Sequence, residues 1–270
     1  MASAVSAAGF DIIVGAGQSN ALQSDEPILG ERAEDARVHI WEGETSRVVE
    51  SSETYLLPEF AREYVRTLAP ERRVLLVSAA EGATGFTTSS LQPCPPGYKP
   101  GVGTWNRELV DDPENLYLRL VTRVTDALHA NAGSRLVCLL WSQGESDCIR
   151  EPFLDEREYA ARLDDLIVTF RADVGVRDLP AIIGSMVPEW YQETAERRSI
   201  ARALEETPSR LPFVSYVWGP SGLPKTDEPI HWATEAQQIR GTEMATSGLA
   251  RALRNTDPVG NPLADSAHEG

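Results

Sequence analysis

The sequence predicts a three-layer α/β protein, in which a mostly parallel central sheet is covered by helices on both faces. Short continuous apolar segments alternate along the chain with longer segments whose apolar residues recur at helical spacing. Continuous apolar strands are typical of parallel sheets that are buried on both sides. The 270 residues contain no composition break that suggests a linker, so we expect one domain over residues 9–254 and a polar tail over 255–270.

Six short apolar runs are predicted as strands, because each is bounded by glycine, proline or polar residues. In chain order they are residues 10–16, 38–41, 74–79, 135–141, 180–186 and 213–217. In parallel sheets of this class, ligands bind at the carboxyl ends of the strands. The residues that follow each run are therefore the candidates for chemistry.

Five longer segments have the apolar spacing of amphipathic helices. They cover residues 53–68, 115–132, 158–174, 194–206 and 234–254. Between the first two lies a segment, residues 81–113, that is rich in glycine, proline, threonine and serine. We expect it to form a long irregular loop, and loops of this size in compact domains are often functional.

The charge balance excludes several classes of partner. Asp and Glu number 41 against 25 Lys and Arg, which gives a formal net charge of −16 at pH 7. Such a surface repels phosphate backbones and anionic membranes, so we expect neither a nucleic-acid nor a membrane partner. No basic region followed by an apolar core precedes the first strand, so we expect a cytoplasmic protein. Export by another route, or a trimmed chain, stays open.

The cysteines and histidines do not suggest a disulfide framework or a metal site. The three cysteines are an odd number, and Cys138 lies inside an apolar run and is interpreted as a core residue. A bridge between Cys94 and Cys148, which both lie in predicted loops, is left open. The four histidines form no Cys/His cluster, so we expect no metal.

The first strand runs into the segment Gly15-Ala-Gly17-Gln18-Ser19-Asn20, which allows several interpretations. A dinucleotide-binding turn fits the first two glycines, but Asn20 occupies the third glycine position. A phosphate-binding loop needs a Gly-Lys-Ser/Thr sequence, which this segment lacks. Ser19 is then either a nucleophile exposed where the strand ends or a simple cap of the following helix.

Two further strand ends carry polar residues or a glycine. Residues 142–147 read Ser-Gln-Gly-Glu-Ser-Asp and follow the apolar run that ends in Trp141, so an amide and two carboxylates lie where a site is expected. Gly82 follows the preceding strand, and its lack of a side chain lets a backbone N–H approach a ligand closely.

His231 is the histidine that is best placed for chemistry, because it lies in a loop immediately before the last predicted helix. Asp227 and Glu228 lie four and three positions upstream of it. A carboxylate at that separation can reach the imidazole Nδ1–H and hold the tautomer that a general base needs.

Together these motifs resemble the SGNH hydrolase superfamily, and within it the sialate O-acetylesterase and acetylxylan esterase types of carbohydrate esterase. The resemblance is carried by residues 17–20, residues 141–147 and the acidic-x-x-His motif, which span nearly the whole chain in the right order. It implies a flavodoxin-like fold and a serine esterase that removes O-acetyl or other short acyl groups from a carbohydrate or small glycoside through an acyl-enzyme. The alternatives are an acyltransferase that uses the same serine and a non-catalytic carbohydrate-binding module.

The resemblance also assigns the catalytic roles. Ser19 corresponds to the nucleophile and His231 to the base. Glu228 occupies the position of the acidic residue, where the family usually has Asp, so Asp227 and Glu145 are rivals for that role.

The oxyanion hole that the resemblance implies consists of the N–H groups of Ser19 and Gly82 and the side-chain amide of Gln143. The family usually has Gly-Gly-Thr where this chain has Gly82-Ala83-Thr84, so the second glycine is missing. This chemistry requires no metal or organic cofactor.

The expected partner is a small-molecule or oligosaccharide acetyl ester. We expect Asn20, Trp105 and Trp232 to bind it, because they lie in or beside strand-end loops and aromatic faces pack well against a pyranose. Each tryptophan can equally be a core anchor. The sequence leaves the oligomeric state and the identity of the sugar open.

Overall fold

The computed structural model describes residues 9–22, 32–93 and 102–258. Within these ranges, seven strands form one sheet with the order β3-β2-β4-β1-β5-β6-β7. All neighbours pair in parallel except β3, which is antiparallel to β2. The strands are β1 (Phe10–Gly17), β2 (Val38–Trp41), β3 (Ser46–Val48), β4 (Arg73–Ser78), β5 (Arg135–Ser142), β6 (Ala181–Gly184) and β7 (Val214–Val217).

Eight α-helices lie within the described residues, and the longer ones cover the two faces of the sheet. The helices are α1 (Leu56–Thr67), α2 (Leu116–Ala130), α3 (Glu156–Asp173), α4 (Pro188–Tyr191), α5 (Ala195–Glu205), α6 (Thr207–Arg210), α7 (Thr234–Glu243) and α8 (Leu249–Arg254). No helix in this part of the chain is long and apolar enough to cross a membrane.

Successive side chains of β1 enter two different cores, because the residues of a strand point alternately to its two faces. Ile12 and Val14 belong to the core that α2, α3 and α5 cover. Ile13 belongs to the second core, which α1 and α8 cover. The predicted α/β class with helices on both faces is therefore confirmed.

Strand β1 lies at the centre of the sheet, between β4 and β5, and all eight of its residues are buried. Its register pairs Gly15 with Ser78 of β4 and Gly17 with Ser142 of β5. The segments that leave these three strands therefore emerge side by side at one edge of the sheet. This edge brings Ser19, Gly82 and Gln143 into one region.

Several elements differ from the sequence prediction, among them the four-residue helices α4 and α6, which were not predicted. The last helix, predicted as continuous over residues 234–254, contains a π-helical segment, Met244–Gly248, between α7 and α8. There the Gly248 carbonyl accepts a hydrogen bond from Ser215 Oγ at 2.8 Å, and a side chain at Gly248 would meet Val217 at 2.9 Å. This fit against β7 is a tertiary contact, which helical spacing does not reveal. The edge strand β3 has only three half-buried residues, too few for a periodic signal.

Part of the predicted loop, together with Cys94, and the tail from residue 259 lie outside the described residues. The described parts of the loop, 81–93 and 102–113, contain neither helix nor strand, as predicted. Cys138 is fully buried in β5, which confirms its interpretation as a core residue, and Cys148 is a buried free thiol.

A buried carboxylate fixes the opposite, amino-terminal edge of the sheet. Asp11 of β1 is fully buried and accepts hydrogen bonds from Arg72, Arg135 and Tyr64 at 2.7–3.1 Å. Burial raises the pKa of Asp11, but the hydrogen bonds from Arg135, Arg72 and Tyr64 lower it by more, so it lies below the usual value. A group whose folded pKa is depressed stabilises the fold above its unfolded pKa and loses that contribution as the pH falls.

We expect Asp11→Asn to lower the free energy of unfolding at pH 7 by about 2 kcal/mol, because charge-assisted hydrogen bonds to a buried carboxylate are lost. The deficit relative to wild type should shrink as the pH is lowered from about 5 towards 2, where the wild-type carboxylate also becomes protonated. Urea unfolding across this range measures both effects. Asp126→Asn, at an exposed position, is the control. Equal losses in the two variants would show that the Asp11 cluster contributes nothing.

Candidate active site

A tight approach of two strands forms the turn that presents Ser19. Gly17 has φ +134°, and a Cβ on it would lie 2.1 Å from the Ser142 carbonyl oxygen. The next residue, Gln18, donates its N–H to the same carbonyl at 2.9 Å. The chain then forms one 3₁₀ turn, Ser19–Ala21. Gln18 and Asn20 are buried, whereas Ser19 between them is partly exposed.

The loop before α7 brings His231 to this serine. His231 Nε2 lies 2.8 Å from Ser19 Oγ, although the two residues are 212 positions apart. The loop is closed by backbone hydrogen bonds of 2.8 Å, from His231 N–H to the Glu228 carbonyl and from Lys225 N–H to the His231 carbonyl. The structure thus places the predicted nucleophile and the predicted base in direct contact.

Of the acidic candidates, Glu228 is the one that contacts the imidazole. Its Oε2 lies 3.1 Å from His231 Nδ1, and Lys225 Nζ donates to the same oxygen at 3.2 Å. The Lys225 hydrogen bond and the nearby His231 ring hold the pKa of Glu228 below its usual value. Asp227 points into solvent, with its side chain 76% exposed.

Glu145 is close to the site but is engaged elsewhere. It is buried, and its Oε1 accepts a hydrogen bond from Asn20 Nδ2 at 2.6 Å. Burial raises the pKa of Glu145. Among the described residues, no hydrogen bond joins Glu145 to His231.

Several backbone N–H groups near Ser19 have no acceptor within the described residues, and those of Ser19 and Gly82 are among them. Glu81 donates its N–H to the Gly17 carbonyl at 3.2 Å, which positions the following peptide beside the serine turn. A Cβ on Gly82 would meet no atom within 4 Å, so this residue faces open space. Free donors beside a nucleophile can stabilise an oxyanion.

Gln143 lies in a buried polar cluster at the end of β5. Its Oε1 accepts from the Tyr159 hydroxyl at 2.8 Å, and its Nε2 donates to Asp147 at 2.8 Å. Two further acceptors, Gln18 Oε1 and the Thr84 carbonyl, lie 3.3 Å from the same nitrogen. One N–H of Gln143 is therefore firmly bound, and the other is shared by two long contacts.

Asp147 holds the loop after β4 against this cluster, a role that sequence reasoning missed. It is buried and accepts the N–H groups of Phe86 and Thr87 at 3.0 and 2.9 Å. Burial raises its pKa, while these N–H groups and that of Gln143 oppose the rise. One sequence signal was available for this role: Asp147 ends the polar segment 142–147, which follows a buried strand.

The structure places the side chains of Asn20, Trp105 and Trp232, which we expected to bind substrate, in the interior. All three side chains are at most 1% exposed. Trp105 donates its Nε1–H to the Gly17 carbonyl at 3.2 Å and packs edge-on against Trp141. These rings support the serine turn and the histidine loop from the core, so neither presents a face to a sugar.

No group of three or more His, Cys, Asp or Glu residues that could hold a metal ion occurs in the described ranges. The chemistry that this arrangement offers is that of a serine, a histidine and a carboxylate with adjacent N–H donors, which is the set needed for acyl transfer to serine.

Comparison with known proteins identifies the class. Residues 56–250 match the family model described as carbohydrate esterase, sialic acid-specific acetylesterase, which covers most of the chain. The chain belongs to this family, and it is accordingly a carboxylic ester hydrolase. The expected family is confirmed. The matched region contains Gln143, Glu228 and His231 but begins after the Ser19 turn. No curated protein matches the sequence significantly.

Solved structures share the fold. A protein from Arabidopsis thaliana superposes with a TM-score of 0.66 at 22% identity, over 90% of this chain and 98% of that one. NanS superposes with a TM-score of 0.69 at 15% identity, over 93% and 99% of the two chains. A carbohydrate acetylesterase from Xanthomonas citri gives 0.57 at 16% identity, over 87% of this chain and 55% of that chain.

A side chain at Gly17 would collide with the Ser142 carbonyl, and this gives a prediction about the serine turn. Gly17→Ala should lower the free energy of unfolding by at least about 2 kcal/mol more than Gly43→Ala, because it adds overpacking to backbone strain. Gly43 is a matched control: its φ is also positive, at +109°, but a Cβ there meets nothing within 4 Å. Urea unfolding gives both values. Equal losses would mean that the β1–β5 approach has room for a side chain.

Proposed function

We propose that this protein is a serine esterase that removes O-acetyl groups from a carbohydrate or small glycoside through an acyl-enzyme on Ser19. The contact of Ser19 Oγ with His231 Nε2 at 2.8 Å is the observation that carries the proposal. Membership of the carbohydrate acetylesterase family supports the ester and the carbohydrate.

His231 acts as the general base. Glu228 accepts the Nδ1–H of the imidazole, across the 3.1 Å contact, and this leaves the Nε2 lone pair for the serine proton. As Ser19 Oγ attacks the acetyl carbonyl carbon, its proton passes to Nε2. The carbonyl π bond opens, and its electron pair becomes the oxyanion of a tetrahedral intermediate.

Three N–H groups are assigned to the oxyanion. The N–H groups of Ser19 and Gly82 have no acceptor in the described structure, so they are available without breaking a bond. The Gln143 amide contributes the N–H that now has only two contacts of 3.3 Å. Loss of one such donor typically costs about 10²–10³-fold in kcat.

The intermediate collapses when His231 gives its proton to the sugar oxygen, and the C–O bond of the ester breaks to release the sugar alcohol. A water molecule then attacks the acetyl-enzyme with His231 again as base. Acetate leaves, and Ser19 regains its proton. The proton that Ser19 lost leaves on the sugar alcohol, and a proton from water replaces it through His231, so the proposed cycle balances without a cofactor.

The nucleophile is tested by Ser19→Ala. We expect kcat on a chromogenic acetate ester to fall by at least ~10³-fold, since the acyl-enzyme cannot form. A fluorophosphonate should label wild-type Ser19, as read by peptide mass spectrometry, and should not label the variant. Ser209→Ala, at an exposed serine, is the matched control and should retain wild-type activity. Equal hydrolysis by wild type and Ser19→Ala would refute the esterase mechanism.

The acidic partner is tested by Glu228→Gln. We expect kcat to fall more than about tenfold, because an amide no longer fixes the tautomer or balances the imidazolium. Asp227→Asn removes the same charge one residue away without touching the imidazole, so its kcat should stay within about twofold. Steady-state kinetics on an acetyl ester measures both. Full activity of Glu228→Gln would transfer the role to Glu145 or Asp227.

A further inference from the structure

The side chain of Asn20 connects the serine turn to the histidine loop. Its Nδ2 donates to the Ile230 carbonyl at 3.0 Å, and its Oδ1 accepts the Trp232 N–H at 3.1 Å. These are the peptide groups on either side of His231. We propose that Asn20 is a positioning residue that fixes His231 relative to Ser19, and that Glu145 orients its amide. The proposal rests on the esterase function proposed above.

The geometry explains why an amide suits this position. A primary amide presents N–H donors on one side and a carbonyl acceptor on the other, so it can pair with a backbone edge as a neighbouring strand does. The Asn20 side chain thus pairs with the backbone around His231 as a strand edge would. Asn20 directly follows Ser19 in the chain, and its side chain binds the backbone of the two residues that flank His231. The contact therefore ties the segment of the proposed nucleophile to the segment of the proposed base.

Glu145 determines which way round the amide lies. Asn20 Nδ2 has a second hydrogen, and Glu145 Oε1 receives it at 2.6 Å. A flipped amide would set Oδ1 against the Ile230 carbonyl as well as Glu145 Oε1, and it would leave the Trp232 N–H without its acceptor. The other oxygen, Oε2, is buried with no partner in the described structure.

The backbone of Asn20 is fixed independently by α7. Its carbonyl accepts hydrogen bonds from Gln237 Nε2 at 3.1 Å and Arg240 Nη1 at 3.3 Å. Arg240 is buried, and its Nη2 donates to Ser142 Oγ at the end of β5 at 3.0 Å. Asn20 is therefore held between a buried carboxyl group on one side and a buried guanidinium on the other.

Asn20 is 1% exposed, and its amide is already engaged by Glu145, the Ile230 carbonyl and the Trp232 N–H, so it is not available to a substrate. A defect there should change the distance between Ser19 Oγ and His231 Nε2 and leave ester binding intact. Misplacement of catalytic groups by about 1 Å can cost on the order of 10²-fold in rate. The expected signature is a fall in kcat with KM preserved, accompanied by an equal fall in the rate at which a fluorophosphonate labels Ser19.

The test is a double-mutant cycle with Asn20→Asp and Glu145→Gln. Asn20→Asp removes both Nδ2 hydrogens and sets a carboxylate against Glu145, so kcat should fall by about 10²-fold with KM within about threefold. In the double variant, the new glutamine can donate to the new aspartate. We expect it to recover at least about tenfold in kcat over Asn20→Asp alone, since the like-charge contact is gone.

The matched control is Asn255→Asp. Asn255 also donates Nδ2 to backbone carbonyls, those of Pro208, Leu211 and Val214, at 2.8–3.1 Å. It lies after α8, away from the serine turn, so its change should lower Tm and leave kcat within about twofold. Circular dichroism at the assay temperature confirms that each variant is folded. If Asn20→Asp does not fold, the labelling rate and kcat of Glu145→Ala decide the question in the same way, and both should fall together.

The outcomes separate this proposal from the esterase mechanism. If wild type hydrolyses the ester, Ser19→Ala does not, and folded Asn20→Asp keeps wild-type kcat, then the positioning role is wrong and the mechanism stands. A double variant no better than Asn20→Asp would refute the orienting role of Glu145. If wild type itself shows no Ser19-dependent hydrolysis, the proposed function has failed instead.

Discussion

The close contact between the carboxyl ends of β1 and β5 sets the position of the serine turn and of the segments beside it in the candidate site. Gly17 and Ser142 pair so closely that no side chain fits between them. The Gly17 carbonyl, once placed there, accepts the N–H of Glu81 and the indole N–H of Trp105, each at 3.2 Å. One backbone junction therefore anchors the serine turn, the oxyanion-side loop and the residues that follow β5. A parallel sheet produces this convergence because its strands end at the same edge.

Buried carboxyl groups organise both edges of the sheet in a protein whose net charge is −16. Asp11 accepts hydrogen bonds from two arginines and a tyrosine at the amino-terminal edge of the sheet. Asp147 accepts hydrogen bonds from backbone N–H groups at the carboxyl-terminal edge. Burying a charge is costly unless donors surround it, so each of these groups also fixes the segments that supply the donors. Glu145 differs, because one of its oxygens has no partner within the described residues and its contact with Asn20 is directed at the histidine loop.

The site combines a rigid part and a surface part. Ser19, Gly82 and Gln143 follow the central strands β1, β4 and β5. His231 and Glu228 lie on a loop, with the Glu228 side chain 54% exposed. An exposed ion pair is weak by itself, so the loop needs a second attachment to keep the imidazole at hydrogen-bond distance from the serine. The buried Asn20 amide provides this attachment in our proposal, so a surface carboxylate can serve the proposed base, His231.

The sequence by itself determined the α/β class, the strands at the centre of the sheet and the serine, histidine and glutamate that meet in the site. The spacing of apolar residues and the polar residues that follow strands are local properties, so they can be recognised in the sequence alone. Only the tertiary structure decided that Glu228 and not Glu145 contacts His231, that Trp105 and Trp232 belong to the core, and that Asn20 faces the histidine loop and not a ligand. These outcomes depend on which side of a packed chain each side chain occupies, and that is fixed by contacts between residues as many as 220 positions apart.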